Sequence, residues 1–450
     1  MDQHDNPGAG GTATSQVVNE GSSPSRGNGR AAFASFSGTL IEIYDFIIYG
    51  TAAALVFPLT FFPALGPAQG MVVSFATFGA AFVARPFGSI IFGHYGDRLG
   101  RKKTLVTTLL LMGVATVLVG ALPTAGQIGI FAPIILVVLR LVQGLAAGGE
   151  WAGATLFVTE HAPKGKRGFW AMFPLLGGTL ALSLGNAAFL LTGFGMSDEA
   201  FLHWGWRIPF LASIVLIVVG LWVRLKVDET PVFKSEQKRS GVVKLPFAEC
   251  LKRQPREILL ASGVGLTTFC YTFISGTYIT AYAVSTLKLA RTEVLLVGVV
   301  SGIVLSLGVV IGAVLADRIG RRPVLLIAHV AAALWNLALF QLLDGASVAI
   351  FAVVLWTTML ISGINYGPMG SFIPELFQTR YRYTAAGISY NLGTLVGGAI
   401  VPILATAVAA AYGTQSVGLL LCGLSVTAIA CTLALRETKN SELDWVDVKA

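Results

Sequence analysis

Long apolar stretches, each of about 20 residues or more, alternate along this chain with short segments that hold most of its charge. Twelve such runs can be drawn, at roughly 33–60, 71–95, 104–123, 129–158, 168–192, 206–225, 258–284, 293–316, 323–343, 347–374, 384–411 and 415–435. At a rise of about 1.5 Å per residue each crosses about 30 Å of hydrocarbon, the longer ones with tilt. The pattern predicts an all-α integral membrane protein of twelve transmembrane helices. A β-barrel would need strands of about ten residues with alternating polarity, and no such alternation persists here.

Composition agrees. Of 450 residues 54% are hydrophobic and 12% charged, whereas soluble domains carry about 25% charged residues. Residues 1–30, rich in Gly, Ser and Asn, read as a disordered tail. The first run starts late, contains acids and lacks a small-residue cleavage site, so it reads as a helix and not as a signal peptide. The net charge of +8 reflects topology and not nucleic-acid binding, because the bases cluster in short loops. With both termini inside, the cytoplasmic loops collect the bases, including Arg98–Lys103 and the stretch from Arg224 to Arg256, and only Arg207, Lys288 and Arg291 remain outside. That predicts an inner-membrane protein with cytoplasmic termini. Cys250, Cys270, Cys422 and Cys431 have no paired spacing, which argues against both a disulfide framework and a metal site.

A polar segment, 226–257, divides the chain into six-helix units at 31–225 and 258–435, followed by a tail at 436–450. The two units repeat each other. Gly93 to Lys102 follows the second run as GHYGDRLGRK, and Ala313 to Arg322 follows the eighth as AVLADRIGRR, at an offset of 220. Glu160 precedes Arg167 by seven residues, as Glu375 precedes Arg382. A duplicated six-helix unit points to a transporter whose halves rock about a midplane site.

At these residues the chain resembles the major facilitator superfamily, whose hallmark loop is a Gly, three residues, then Asp-Arg-x-Gly-Arg-Lys. Gly38-Thr39 to Glu42 with Tyr44-Asp45-Phe46, Ala84 to Gly88, and Arg140 with Gly148 to Trp151 resemble its metabolite:proton symporter family. So do Trp206 to Phe210, Glu229 to Phe233 and Arg382 to Thr384; Ile43 stands where the family usually has Trp. The resemblance implies a fold of two six-helix bundles and proton-coupled import of a small carboxylate such as shikimate or a dicarboxylate. Proton antiport or uptake of betaine and proline on the same fold are the alternatives, and the short tail without heptads argues against the betaine branch. It assigns the loop residues Gly93, Asp97, Arg98, Gly100, Arg101 and Lys102, with Asp317, Arg318 and Arg321 in the echo, to a gate in which Asp97 faces the start of helix 11.

Independently of any family, charges near the bilayer centre each need a partner, a wet cavity or a proton. Glu42 and Asp45 share a face of the first helix, with Tyr49 extending it. Asp45 lies about 18 Å in and Arg85 about 15 Å from its helix end, so base and acids share a depth. Either they form a structural pair, or the acids carry a proton while Arg85 holds a substrate carboxylate. Arg140 and Glu150, ten apart on the fourth helix, look inward as a structural pair or as part of the proton-coupling set. Tyr271, Tyr278, Asn365, Tyr390 and Asn391 offer uncharged polar atoms for the substrate, or for interhelical hydrogen bonds. No acid or base is expected deep within helices 7 to 12. With no Walker loop, metal-binding His pair or nucleophile elbow, the chain reads as no enzyme, without cofactor or metal, and as a monomer in the bilayer whose partners are its substrate and protons.

Overall fold

The computed structural model describes residues 24–163, 165–193, 196–226, 246–275 and 279–441. Tyr278, the side chain of Arg101, and most of both tails and of the linker lie outside the described residues. The first unit contains α1 (Pro24–Leu55), α2 (Gly66–Leu99), α3 (Arg101–Ala121), α4 (Phe131–Thr159), α5 (Arg167–Gly193) and α6 (Arg207–Leu225). After a linker helix, Pro246–Arg253, the second contains α7 (Pro255–Ile274), α8 (Arg291–Ile319), α9 (Arg321–Leu343), α10 (Val348–Glu375), α11 (Arg382–Leu395 continued by Val401–Tyr412) and α12 (Gln415–Ala434).

Eleven helical spans among the described residues are long and apolar enough to cross a membrane. The run expected at 384–411 is helical too, but a π-turn over Val396–Ile400 divides it. Its first segment is also the most polar, with Ser389, Asn391 and Thr394 all buried. Polarity at that depth is tolerated where it faces protein and not lipid.

Packing repeats between the units. In the first, α1 packs on α5, α2 on α4 and α3 on α6; in the second, α7 packs on α11, α8 on α10 and α9 on α12. The units meet along α2 with α11 and α5 with α8, assisted by α4 and α10. Glycine sets the closest approaches: a Cβ on Gly148 would sit 2.1 Å from the Arg85 carbonyl oxygen, and one on Gly363 would sit 2.3 Å from that of Leu305. The turns from α2 to α3 and from α8 to α9 are made at Gly100 and Gly320, with φ of 108° and 110°, values that favour residues without a Cβ. A shared apolar core including Trp151, Leu175, Val309, Phe372 and Tyr390 joins the units, whereas Val72, Leu191, Val218 and Leu334 are exposed on the outside as lipid-facing residues would be.

Candidate functional site

Besides the charges of its loop ends, the first unit buries Glu42, Asp45, Glu150, Arg85, Arg140 and Arg224 within its helices. Glu42 pairs with Arg85 at 3.3 Å and lies within electrostatic reach of Glu150, Arg224 and Asp45. Asp45 makes no ion pair among the described residues. Its Oδ2 accepts a hydrogen bond from Thr116 at 2.6 Å, and its Oδ1 has no partner. Gln143 donates to the same Thr116 hydroxyl oxygen at 2.7 Å and accepts from Arg140 at 3.2 Å, so a polar chain links α1, α3 and α4. Arg140 itself rests against the rings of Phe46 and Tyr49, each 4.0 Å from its Cζ, with Nε and Nη2 unpartnered. The Tyr49 hydroxyl is 2.8 Å from that of Thr77.

Glu150 is not paired with Arg140. It forms a buried ion pair with Arg224 and accepts from Thr108 at 3.1 Å. Arg224, which the positive-inside count places among the cytoplasmic-loop bases, sits instead in the last turn of α6, 3% exposed. The signal was present, since Arg224 still falls inside the 206–225 apolar run, but positive-inside loops place bases at the same positions.

The second unit contributes differently. Tyr390 stacks on Trp151 of α4, ring centroids 3.8 Å apart, and its hydroxyl is 3.0 Å from that of Tyr366. Both tyrosines lie within electrostatic reach of Glu42 and Arg85. Asn391 donates to the Gly148 carbonyl at 2.9 Å and so ties α11 to α4. Tyr271 and Asn365 are engaged within their own unit. Tyr271 donates to Asn336 at 2.7 Å, while Asn365 accepts from Thr268 at 2.7 Å and its amide nitrogen lies 3.1 Å from His329 Nδ1. His329 corrects the expectation that helices 7 to 12 hold no deep base. It is fully buried in α9, with Thr267 Oγ1 2.9 Å from Nδ1. A neutral imidazole needs only hydrogen bonds at that depth, which is why charge counting missed it.

The hallmark loops close one face of the molecule, the face on which Lys439 and Ser441 also lie. Asp97 accepts from the backbone N–H of Tyr383 at 3.3 Å and of Thr384 at 3.1 Å, and from the Thr384 hydroxyl at 2.8 Å. A carboxylate at a helix N-terminus satisfies orphan donors and complements the dipole. Asp317 does the same for α5, accepting from Gly168 at 2.9 Å and Phe169 at 2.8 Å, and pairs with Arg321 at 3.1 Å. Gly93 packs against Thr384. The repeated acid and base pairs exchange partners across the units: Glu160 faces Arg382 at 4.0 Å and Arg167 faces Glu375 at 3.8 Å. Arg98 contacts His94 at 3.1 Å, Lys102 donates to the Leu225 carbonyl at 2.9 Å, and Arg318 is exposed. Glu437, which the sequence reading did not single out, accepts from the backbone N–H groups of Arg321 and Arg322 and caps α9.

Two bundles related by duplication, closed at one face by paired hallmark loops, define a major facilitator transporter fold. The chain belongs to the Major Facilitator Superfamily, whose family model matches residues 36–391 and 264–446. It is 41% identical over 438 residues to an inner membrane metabolite transport protein, YhjE, of Escherichia coli (strain K12), covering 96% of this chain and 99% of that one. Against the shikimate transporter of the same organism it is 40% identical, covering 84% of this chain and 87% of the relative, and against its proline/betaine transporter 31%, covering 92% and 84%. The solved structure of the proton:xylose symporter XylE superimposes with a TM-score of 0.75 at 15% identity, over 94% of this chain and 98% of that one. The protein is thus a multi-pass membrane transporter of small molecules, not an enzyme.

Proposed function

We propose that this transporter imports a small carboxylate-bearing metabolite together with a proton, with both termini cytoplasmic. The observation that carries the reading is the buried Glu42–Arg85 pair, 3.3 Å apart and within electrostatic reach of Tyr366 and Tyr390 of the opposite unit. A buried ion pair is costly to break unless a substitute arrives for each member. A proton substitutes for Arg85 at Glu42, and a substrate carboxylate substitutes for Glu42 at Arg85, where the planar guanidinium offers a bidentate fork. Proton and carboxylate then enter together or not at all. Asp45, with its unpartnered oxygen near Arg140, is the second acid able to take up the proton. The substrate specificity in the name of the shikimate transporter, the proton in the name of the xylose symporter and the acidic first helix all support this reading.

The test is uptake of a radiolabelled panel of shikimate, 2-oxoglutarate, citrate, proline and betaine into proteoliposomes under an imposed pH gradient. An organic acid should accumulate and the zwitterions should not. In Asp45→Asn or Glu42→Gln the amide mimics the protonated acid, so uphill accumulation should disappear while counterflow exchange persists. Full gradient-driven uptake in both variants removes α1 from coupling, and accumulation of betaine alone replaces the carboxylate by an osmoprotectant.

A further inference from the structure

Phe46 stands where the two arginine clusters meet. Its ring centroid is 4.3 Å from the Arg85 guanidinium carbon and 4.0 Å from that of Arg140. Two buried guanidinium groups therefore lie within about twice that distance of each other with one benzene ring as their shared neighbour. Phe82 and Phe78 meet the ring edge-on, with centroids 5.1 and 5.2 Å away, and hold it in place. The ring is a counter-charge as well as a filler. Arg140 has no carboxylate within ion-pair distance among the described residues, so the π-faces around it stand in for an anion, while Arg85 shares the same ring and is paired with Glu42. Along α1, Phe46 follows Asp45 directly and Glu42 by four residues, which makes it the side chain in contact with the substrate-side pair and the proton-side cluster at once.

We propose that Phe46 is the positioning residue that couples the carboxylate site at Arg85 to the proton site around Arg140 and Asp45. The inference rests on the reading of Arg85 and the α1 acids given above. Two cations on one ring compete for the same negative quadrupole and repel each other. When Glu42 takes up a proton, Arg85 loses its carboxylate and competes with Arg140 for the ring; when a substrate carboxylate takes Glu42's place, the ring is released to Arg140, and Arg140 is the charge that acts on Asp45. Occupancy at one site is then felt at the other as a coupling free energy, and by reciprocity the proton alters substrate affinity equally.

The experiment compares wild type with Phe46→Leu and Phe46→Met, which keep the bulk and lose the ring quadrupole, and with Phe46→Tyr, which keeps it. The probe is whichever acid of the panel, shikimate, 2-oxoglutarate or citrate, the wild type accumulates, and thermal unfolding in detergent confirms folding. In the ring-less variants counterflow should stay within about twofold of wild type, while the accumulation ratio under a pH gradient falls about fivefold or more and the pH dependence of half-saturation flattens. Phe46→Tyr should retain the pH dependence and accumulate to within about twofold of wild type. Wild-type accumulation in a folded ring-less variant overturns the proposal, and so does loss of exchange and accumulation in step in all three variants, which is what a packing role produces. If the wild type accumulates no acid, the reading beneath the inference fails and takes the inference with it.

Discussion

The two halves share a scaffold and differ in what they bury inside it. Asp97 and Asp317 each cap a helix of the opposite unit, and Glu160 and Glu375 each face an arginine across the interface. Deeper in, the repeat changes character. Glu150 has its mate 215 residues on at Asn365, the same spacing as Glu160 to Glu375, and Thr116 has its mate 220 residues on at Asn336. Glu150 binds Thr108 and the Arg224 guanidinium, whereas Asn365 binds Thr268 and faces the His329 imidazole. Thr116 donates to Asp45, whereas Asn336 accepts from Tyr271. One half holds charge where the other holds neutral hydrogen bonds. The contacts between the units follow the duplication, and the buried charge departs from it.

If the charged and neutral mates differ in kind, they should differ most when one partner is removed. Arg224→Met leaves the Glu150 carboxylate buried without its cation and should cost about 3–5 kcal/mol, read as a large fall in thermal midpoint in detergent. Asn365→Ala strips a neutral partner from Thr268 and His329 and should cost about 1–3 kcal/mol. The double change Glu150→Gln with Arg224→Met should recover much of the loss, because no unpaired charge then remains. A single Arg224→Met as mild as Asn365→Ala would erase the contrast.

Next in size is Arg85. Lysine keeps the charge and loses the planar fork, so Arg85→Lys should weaken binding of a transported acid about tenfold, or about 1.4 kcal/mol, and weaken its amide analogue less. The buried base of the second half, His329, does not invite the same test, since it is occupied by Thr267 and Asn365. Equal losses for acid and amide would leave Arg85 as a structural member of the pair.

The fold was legible because length and apolarity alone decide a membrane helix, and all but one of the expected runs overlap a span among the described residues that is long and apolar enough to cross a membrane. The exception, α11, carries its π-turn in a Gly-rich stretch whose apolar pattern is unbroken, so nothing in the hydropathy marks it. Shared depth puts Arg85 level with both α1 acids, because spacing along a helix fixes depth, and the structure pairs it with Glu42 while Asp45 goes to Thr116. Spacing does not fix which neighbour a helix faces, which is why Glu150 was expected beside Arg140 and is found with Arg224. Phe46 stands in the sequence within the Tyr44-Asp45-Phe46 motif, but a ring serving two cations is a tertiary fact with no mark in the sequence.

The latches should respond alike where the sites do not. Asp97→Asn and Asp317→Asn each remove the anion from a helix N-terminus, at about 1 kcal/mol apiece. Both should slow exchange and change equilibrium affinity little, since the caps lie about half a membrane thickness from Arg85. A large loss of binding in one variant only would mean that the asymmetry of the site extends into the gate.

The smallest effect separates the two latches most finely. The linker helix packs against α2, the start of α11 and the Thr379–Tyr381 turn, held by Gln254, which donates to the Leu376 carbonyl and accepts from Tyr381, and by Glu249 paired with Arg380. No comparable helix covers Asp317 among the described residues. Cys250 on that helix is fully buried. Burial first, and then the nearby Asp97 charge, push its thiol from 9.0 up to about 12, so near neutral pH the sulfur is protonated and shielded from reagents that need the thiolate. In a variant whose other cysteines are replaced, maleimide labelling at pH 7.5 should therefore be slow. Asp97→Asn should speed it a few-fold, about 0.5–1 kcal/mol of opening, because the cap that holds α11 against α2 is weakened. Asp317→Asn should leave the rate unchanged, since that cap holds α5. Removing the Asp97 charge also lowers the thiol pKa, so the comparison is repeated with an uncharged disulfide reagent, which reacts by thiol–disulfide exchange, across pH 7 to 9. A rate gain that vanishes once thiolate fractions are matched is electrostatic, whereas one that persists is the latch opening. Equal gains from both aspartates would mean that the linker helix follows the whole face and not the α2–α11 contact alone.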